Sequence, residues 1–142
     1  MTKCSEVMTK HVVCCLPDNT VSEVAQLMKR EDVGPIPVVQ DIETKKLVGI
    51  VTDRDLALKI VAEERDPKST KVKEVMTRDL VTCKADDDIK KAIDAMVKHQ
   101  LRRIPVVENG NKVVGIIAQA DVATRLDQPK RTAEVVNEIS KD

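Results

Sequence analysis

A threonine and an aspartate three residues apart, Thr52 and Asp55, stand where an apolar run ends and a charged amphipathic run begins, in Gly49-Ile50-Val51-Thr52-Asp53-Arg54-Asp55. A near-copy follows 66 residues later as Gly115-Ile116-Ile117-Ala118-Gln119-Ala120-Asp121. A carboxylate only accepts hydrogen bonds, so it matches the paired donors of a ribose diol. A hydroxyl at a strand-to-helix junction can hold a phosphate, since the helix N-terminus favours anions. The same two residues could instead form a capping box, each oxygen serving an orphan backbone amide. The second chemical feature is Arg102-Arg103, directly before Ile104-Pro105-Val106. Guanidinium forks grip phosphate oxygens in bidentate fashion, which makes the pair a candidate anion trap. Removing one charged hydrogen bond of this kind costs roughly 1.5–3 kcal/mol.

Other polar residues carry less. Arg54 falls in the first turn of the helix after the junction, where a cation is mildly unfavourable, and is kept as a site candidate. His11 and His99 have no nucleophile in a recognisable motif beside them, and no catalytic role or enzyme activity is expected. Cys4, Cys14, Cys15 and Cys83 show neither C-x-x-C nor Cys/His ligand spacing, so no metal site is expected. They read as small buried hydrophobes in a reducing compartment, with Cys14 and Cys15 on opposite faces of an extended run. Lys90-Lys91 and Lys130-Arg131 read as solvated helix faces.

The elements that must position these groups come as a tandem duplication. Glu6-Val7-Met8-Thr9 recurs as Glu74-Val75-Met76-Thr77, and Ile36-Pro37-Val38-Val39 as Ile104-Pro105-Val106-Val107. Each copy predicts a strand (Val12 to Cys15; Leu80 to Cys83) and then a helix. The first helix buries Val21, Val24, Ala25 and Met28 and is opened by a Thr20/Glu23 capping box. The second buries Ile89, Ala92, Ile93 and Met96 behind Asp86-Asp87-Asp88. Gly34, in the left-handed conformation, and Pro35 are expected to end the first helix. Strands over Ile36 to Val39 and Lys46 to Val51 follow, matched by Ile104 to Val107 and Lys112 to Ile117 around an Asn-Gly turn. Each repeat closes with a helix, whose apolar faces are Leu56, Ala57, Ile60 and Val61 and then Val122, Ala123 and Leu126. The fold class is α/β (α+β): two β-α-β-β-α units, residues 1–66 and 67–127. The charged stretch 62–73 serves as a linker, and a C-terminal helix is expected within 128–142, packed on the body or on a second subunit.

Composition narrows the function. The chain has 142 residues, 24 Lys+Arg against 24 Asp+Glu, and no Phe, Tyr or Trp. Zero net charge argues against nucleic acid and anionic membrane as partners, and without aromatic rings there is no stacking platform for single strands. A bound base must lie between aliphatic side chains. With no signal peptide and no apolar run of about 18 residues, a cytoplasmic location is expected.

Two apolar-Pro-Val-Val strands and two G-I-V-T-x-x-D-type junctions, in order and at matched spacing, resemble the CBS domain, named for cystathionine beta-synthase. The tandem pair looks like a Bateman module over about residues 5 to 127, most similar to small stand-alone CBS-pair proteins. The resemblance implies two three-stranded sheets packed with pseudo-twofold symmetry. It also implies a homodimer, no required cofactor, and clefts between repeats that take adenosine nucleotides such as AMP, ADP, ATP or S-adenosylmethionine. Carried onto this chain, it assigns one well-equipped site to Ile50, Thr52, Arg54, Asp55, Arg102, Arg103, Ile104 and Pro105. The weaker site keeps Ile36, Pro37, Ile116 and Asp121. Ala118 replaces its hydroxyl, Gly34-Pro35 its basic pair, and Ala120 a lysine seen in some family sites, which weakens triphosphate binding more than monophosphate binding. The function implied is a regulatory, non-catalytic nucleotide sensor. The competing reading is a structural module with vestigial clefts that binds another protein through its helix faces.

Overall fold

The computed structural model describes residues 1–125; the helix expected in 128–142 and the apolar contact expected of Leu126 lie outside them. Elements run α1 (Cys4–Val7), α2 (Val21–Glu31), β1 (Pro35–Val39), β2 (Leu47–Thr52), α3 (Asp53–Leu56), β3 (Cys83–Lys84), α4 (Ile89–His99), β4 (Arg103–Glu108), β5 (Lys112–Ala118) and α5 (Gln119–Arg125). The chain divides into two compact units. Of the described residues, the first-repeat unit holds 13–80 with 110–112, and the second-repeat unit holds 1–12, 81–109 and 113–125. Each Glu-Val-Met-Thr segment therefore folds with the body of the other repeat.

In the first-repeat unit, the expected capping box opens α2: Glu23 N donates to Thr20 Oγ1 and Thr20 N to Glu23 Oε1, both at 3.1 Å. The linker supplies what the box leaves over. Val21 N donates to Thr70 O and Ser22 N to Pro67 O, each at 2.9 Å, so two further orphan amides of the helix are satisfied by the stretch that joins the repeats. The helix ends earlier than expected. Asp32, not Gly34, takes the left-handed conformation (φ 55°), and Val33 N closes the end on Met28 O at 3.1 Å. Gln100 (φ 55°) does the same for α4. Gly34 serves space instead: a Cβ there would lie 3.1 Å from Asp53 Oδ1.

β1 and β2 pair antiparallel, Ile36 opposite Val51 and Pro37 opposite Ile50. The strand expected over Val12 to Cys15 is reduced to one parallel bridge, Cys15 to Val38. Cys15 N donates to Pro37 O and Val39 N to Cys15 O; the next donor back along β1 would be position 37, and proline has no N–H. Pro105 imposes the same stop in the second-repeat unit. There β3 pairs only Cys83 with Val106 and Lys84 with Val107, and the sheet order is β3-β4-β5. The β4–β5 turn is a three-residue one, Asn109–Asn111, with Gly110 at φ 75° and Asn111 at φ 60°.

With no aromatic ring available, aliphatic and sulfur-bearing side chains fill each core. Val21, Val24, Met28, Ile36, Val38, Val51 and Ile60 pack in the first-repeat unit, and Ile89, Ile93, Met96, Ile104, Val106, Ile117 and Val122 in the second. Ala25, Ala57 and Ala123 are exposed, contrary to the helical stripes read from the sequence. Val61 is 74% exposed although Ile60 is buried. After α3 the chain widens into a π turn over Ala57–Val61, with Ala62 N on Ala57 O, and the wider turn rotates Val61 off the buried face.

Cys15 is buried in the first-repeat core. Burial, and then the charge of neighbouring Cys14, pushes its thiol up from 9.0 to about 12. A proton held more tightly in the folded state stabilises the fold below the unfolded value and loses that effect as pH rises through the folded one. Stability is therefore expected to fall progressively between about pH 9 and pH 12. In urea titrations at a series of pH values, Cys15→Ala should flatten that decline, whatever its effect at pH 7; an unchanged slope would refute the assignment.

Candidate functional site

β2 delivers Thr52 to the start of α3, and the two ends of the Thr52–Asp55 pair satisfy each other. Asp55 N donates to Thr52 Oγ1 at 3.1 Å, Thr52 N to Asp55 Oδ2 at 2.9 Å, and Thr52 Oγ1 to the same Oδ2 at 3.1 Å. The capping box is thus present. It uses Oδ2, which leaves Oδ1 as the oxygen with lone pairs to spare. Lys59 Nζ takes one of these at 3.2 Å and also donates to Val75 O at 2.8 Å. The Asp55 side chain is 16% exposed, and its two oxygens are held in fixed directions by Thr52 and Lys59.

Lys59 was not singled out by sequence reasoning. Its place four residues after Asp55 is the ordinary helix ion-pair spacing and was available as a signal. Its second bond, to a backbone carbonyl of the Glu74–Thr77 segment, had none.

The corresponding junction in the second-repeat unit keeps one leg of the box. Ala118 N donates to Asp121 Oδ2 at 2.8 Å, but Ala118 has no hydroxyl to return. Thr9 Oγ1 instead donates to Asp121 Oδ1 at 3.3 Å. Both carboxylate oxygens of Asp121 are therefore engaged by the protein.

What lies over each junction follows from the glycine that precedes it. Thr77 pairs antiparallel with Ile50, and Thr9 with Ile116. An added Cβ would come within 2.7 Å of Met76 Sδ at Gly49 and within 2.5 Å of Met8 Sδ at Gly115. The Met-Thr of one repeated motif crosses the Gly-Ile of the other, and only glycine admits it.

The remaining candidates are placed as follows. In the first-repeat unit, Ile50 is half-exposed beside Thr52, Arg54 is exposed, and Ile36 and Pro37 are buried in β1. In the second-repeat unit, Arg102 is exposed and Arg103 half-buried, while Ile104, Pro105 and Ile116 are buried. Gln119 N donates to Arg102 O at 2.9 Å, as Asp53 N does to Gly34 O at 3.1 Å. The arginines thus flank the junction of their own repeat, and Gly34-Pro35 flank the Thr52 junction. The structure brings Ile50, Thr52, Arg54 and Asp55 together in one unit, and Arg102, Arg103, Ile104 and Pro105 in the other. Among the described residues, no three His, Cys, Asp or Glu side chains form a metal-ligating group, and no helix is long and apolar enough to cross a membrane.

Comparison with known proteins gives this architecture relatives. The family model described as "CBS domain" matches twice, over residues 4–62 and 72–128. The chain is 38% identical over 140 residues to the CBS domain-containing protein YhcV of Bacillus subtilis, covering 99% of this chain and 96% of that one. Over 128 residues it is 31% identical to hypoxic response protein 1 of Mycobacterium tuberculosis, covering 90% and 87%. Among solved structures, Hypoxic Response Protein I with two coordinated zinc ions superposes with a TM-score of 0.78 at 31% identity, over 88% of this chain and 99% of that one. The CBS domain pair of protein MJ0100, in complex with 5'-methylthioadenosine and S-adenosyl-L-methionine, superposes with a TM-score of 0.76 at 27% identity, over 87% and 94%.

Proposed function

The chain belongs to the CBS domain family as a tandem pair, and from that premise we propose that it is a regulatory module that binds an adenosine nucleotide and performs no chemistry on it. The observation that carries this reading is the intact Thr52–Asp55 pair, in a fold that takes adenosine derivatives in the MJ0100 pair. Asp55 Oδ1 accepts from the ribose diol, and Ile50, half-exposed beside it, offers an aliphatic wall to the base. Arg102, which is exposed, and Arg103, which is half-buried, hold phosphate. Ile104 and Pro105 position the arginines by anchoring β4 in the core. The Asp121 junction, with Ile36, Pro37 and Ile116, is the weaker site, because Ala118 gives that junction no hydroxyl. The working form is a homodimer in the cytoplasm, and nucleotide acts by favouring one of its conformations or associations, which requires differential affinity for the two states.

Thermal denaturation with AMP, ADP, ATP, S-adenosylmethionine and NAD at millimolar concentration tests this. At 100-fold excess over Kd a ligand specific for the folded state adds about 2.7 kcal/mol, which is several degrees in melting temperature for a domain of this size. AMP or ADP should shift it at least as far as ATP. Arg103→Ala should abolish the shift with phosphorylated ligands. No shift with any of the five would favour the competing reading, a protein-interaction module with empty clefts.

A further inference from the structure

Lys59 stands between the Thr52–Asp55 junction and the segment that crosses it, and the nucleotide reading gives it no task. Its ammonium lies 3.2 Å from Asp55 Oδ1 and donates to Val75 O at 2.8 Å. The peptide plane that carries Val75 O carries Met76 N–H at its other edge, and Met76 N donates to Val72 O at 2.9 Å. One residue further on, Thr77 N donates to Ile50 O at 2.8 Å, and Ile50 N donates to Thr77 O at 3.0 Å. Through one lysine, the carboxylate helps to hold the stretch that lies over Gly49. The second-repeat unit makes the same connection without a lysine: Thr9 Oγ1, on the crossing segment there, donates to Asp121 Oδ1 at 3.3 Å. In each unit the Oδ1 oxygen of the junction carboxylate is tied to the Met-Thr segment that crosses it.

A ribose at Asp55 would compete with this tie. A carboxylate offers about four acceptor positions. Asp55 Oδ2 already accepts from Thr52 N and Thr52 Oγ1, and Oδ1 faces Lys59, so one position remains for a diol that brings two donors. One partner must leave. Thr52 N is fixed by the backbone, and Thr52 Oγ1 is held in place by Asp55 N at 3.1 Å. The Lys59 side chain is 40% exposed; its ammonium is strongly hydrated on a flexible stem, and an ion pair so exposed is weak. Lys59 therefore leaves at the least cost. Without the carboxylate, a single neutral carbonyl is left to hold its charge.

Resting on the reading that Asp55 meets the ribose, we propose that Lys59 is a ligand-released latch: a diol that engages Asp55 Oδ1 displaces the ammonium, which lets go of Val75 O, and the 74–77 segment loosens. The loosened stretch has a route onward, because the chain that leaves it enters the second-repeat unit at residue 81. Occupancy of the ribose carboxylate is thus passed to the stretch that leads to the other repeat.

The test is amide exchange on the full chain, read at Met76, with AMP binding followed in parallel by calorimetry. Rates are taken relative to Val39, whose N–H bonds Cys15 O in the same unit and follows its general opening. Without ligand, Lys59→Met should exchange Met76 roughly two- to fivefold faster than wild type, the worth of one exposed charged contact. Saturating AMP should speed Met76 in wild type by a similar factor, against the general slowing that a ligand of the folded state imposes. In Lys59→Met, AMP should bring only the slowing, and 2',3'-dideoxy-AMP, which lacks the diol, should bring only the slowing in wild type. AMP that does not bind sinks the reading of the site and this proposal with it. AMP that binds but slows Met76 alike in wild type and Lys59→Met leaves that reading standing and overturns the latch. Ligand-free Lys59→Met exchanging Met76 at the wild-type rate, or the dideoxy nucleotide speeding it as AMP does, would overturn the latch as well. The wild-type comparison with and without AMP needs no variant to fold.

Discussion

Gly115→Ala is expected to lower stability by about 1–3 kcal/mol, seen as a lower urea midpoint with an unchanged slope. The added Cβ would lie 2.5 Å from Met8 Sδ, 2.8 Å from Met8 Cγ and 2.9 Å from Thr9 O. These neighbours differ in what they can yield. The methionine tip is flexible and can retreat. The carbonyl is held on both sides, since Ile116 N donates to Thr9 O at 3.1 Å and Thr9 N to Ile116 O at 2.8 Å. A double-mutant cycle separates the two contributions. Met8→Ala should recover part of the Gly115→Ala loss, and the remainder measures the backbone clash. Gly49→Ala should cost less than Gly115→Ala, because its contacts, Met76 Sδ at 2.7 Å and Thr77 O at 3.0 Å, are each looser. A Gly115→Ala protein as stable as wild type would mean that the crossing segment shifts freely, and the steric reason for the glycine would be wrong.

The glycines also show where the sequence was legible and where it was not. Both halves of this contact, Glu-Val-Met-Thr and Gly-Ile, were visible as repeated motifs, and their spacing identified the duplication. Nothing in a linear pattern says that the Met-Thr of one repeat lies over the Gly-Ile of the other. That exchange is a long-range pairing, set by which surfaces close a core. Local signals fared well where local chemistry decides: the Thr20/Glu23 box, the four strands flanking the two turns, and the buried stripe of α4 stand where the pattern placed them. They failed where a third residue intervened. Pro37 and Pro105 removed the donors that the strands before α2 and α4 needed. Asp32 ended α2 before Gly34 was reached, and a π turn took Val61 out of the core. At the junction itself the sequence left capping and ligand binding open. The geometry shows the capping directly, and it shows that capping consumes one carboxylate oxygen of Asp55 rather than both.

Asp55→Ala therefore has two effects that can be measured apart. It removes the acceptor of Thr52 N and Thr52 Oγ1 and the ion-pair partner of Lys59, which should cost about 0.5–2 kcal/mol as a lost cap. On the proposed reading it also removes the ribose acceptor, weakening nucleotide binding about ten- to a hundredfold, the equivalent of one charged hydrogen bond. Thr52→Ala isolates the first effect. It reproduces the Ala118 junction, in which the backbone amide still holds the carboxylate at 2.8 Å, so it should lose stability while keeping more of the affinity. Lys59→Met isolates the second, because it frees Oδ1 and leaves both Thr52 bonds in place; nucleotide should bind at least as tightly, with a larger preference for ribose over 2'-deoxyribose. Titration calorimetry at a temperature where every variant is folded distinguishes these outcomes. If Asp55→Ala binds nucleotide like wild type while melting earlier, Asp55 is a cap and nothing more. If Asp121→Ala is the variant that loses binding, the two junctions have been ranked in the wrong order, since the carboxylate that Thr9 already engages would then be the one that meets the ligand.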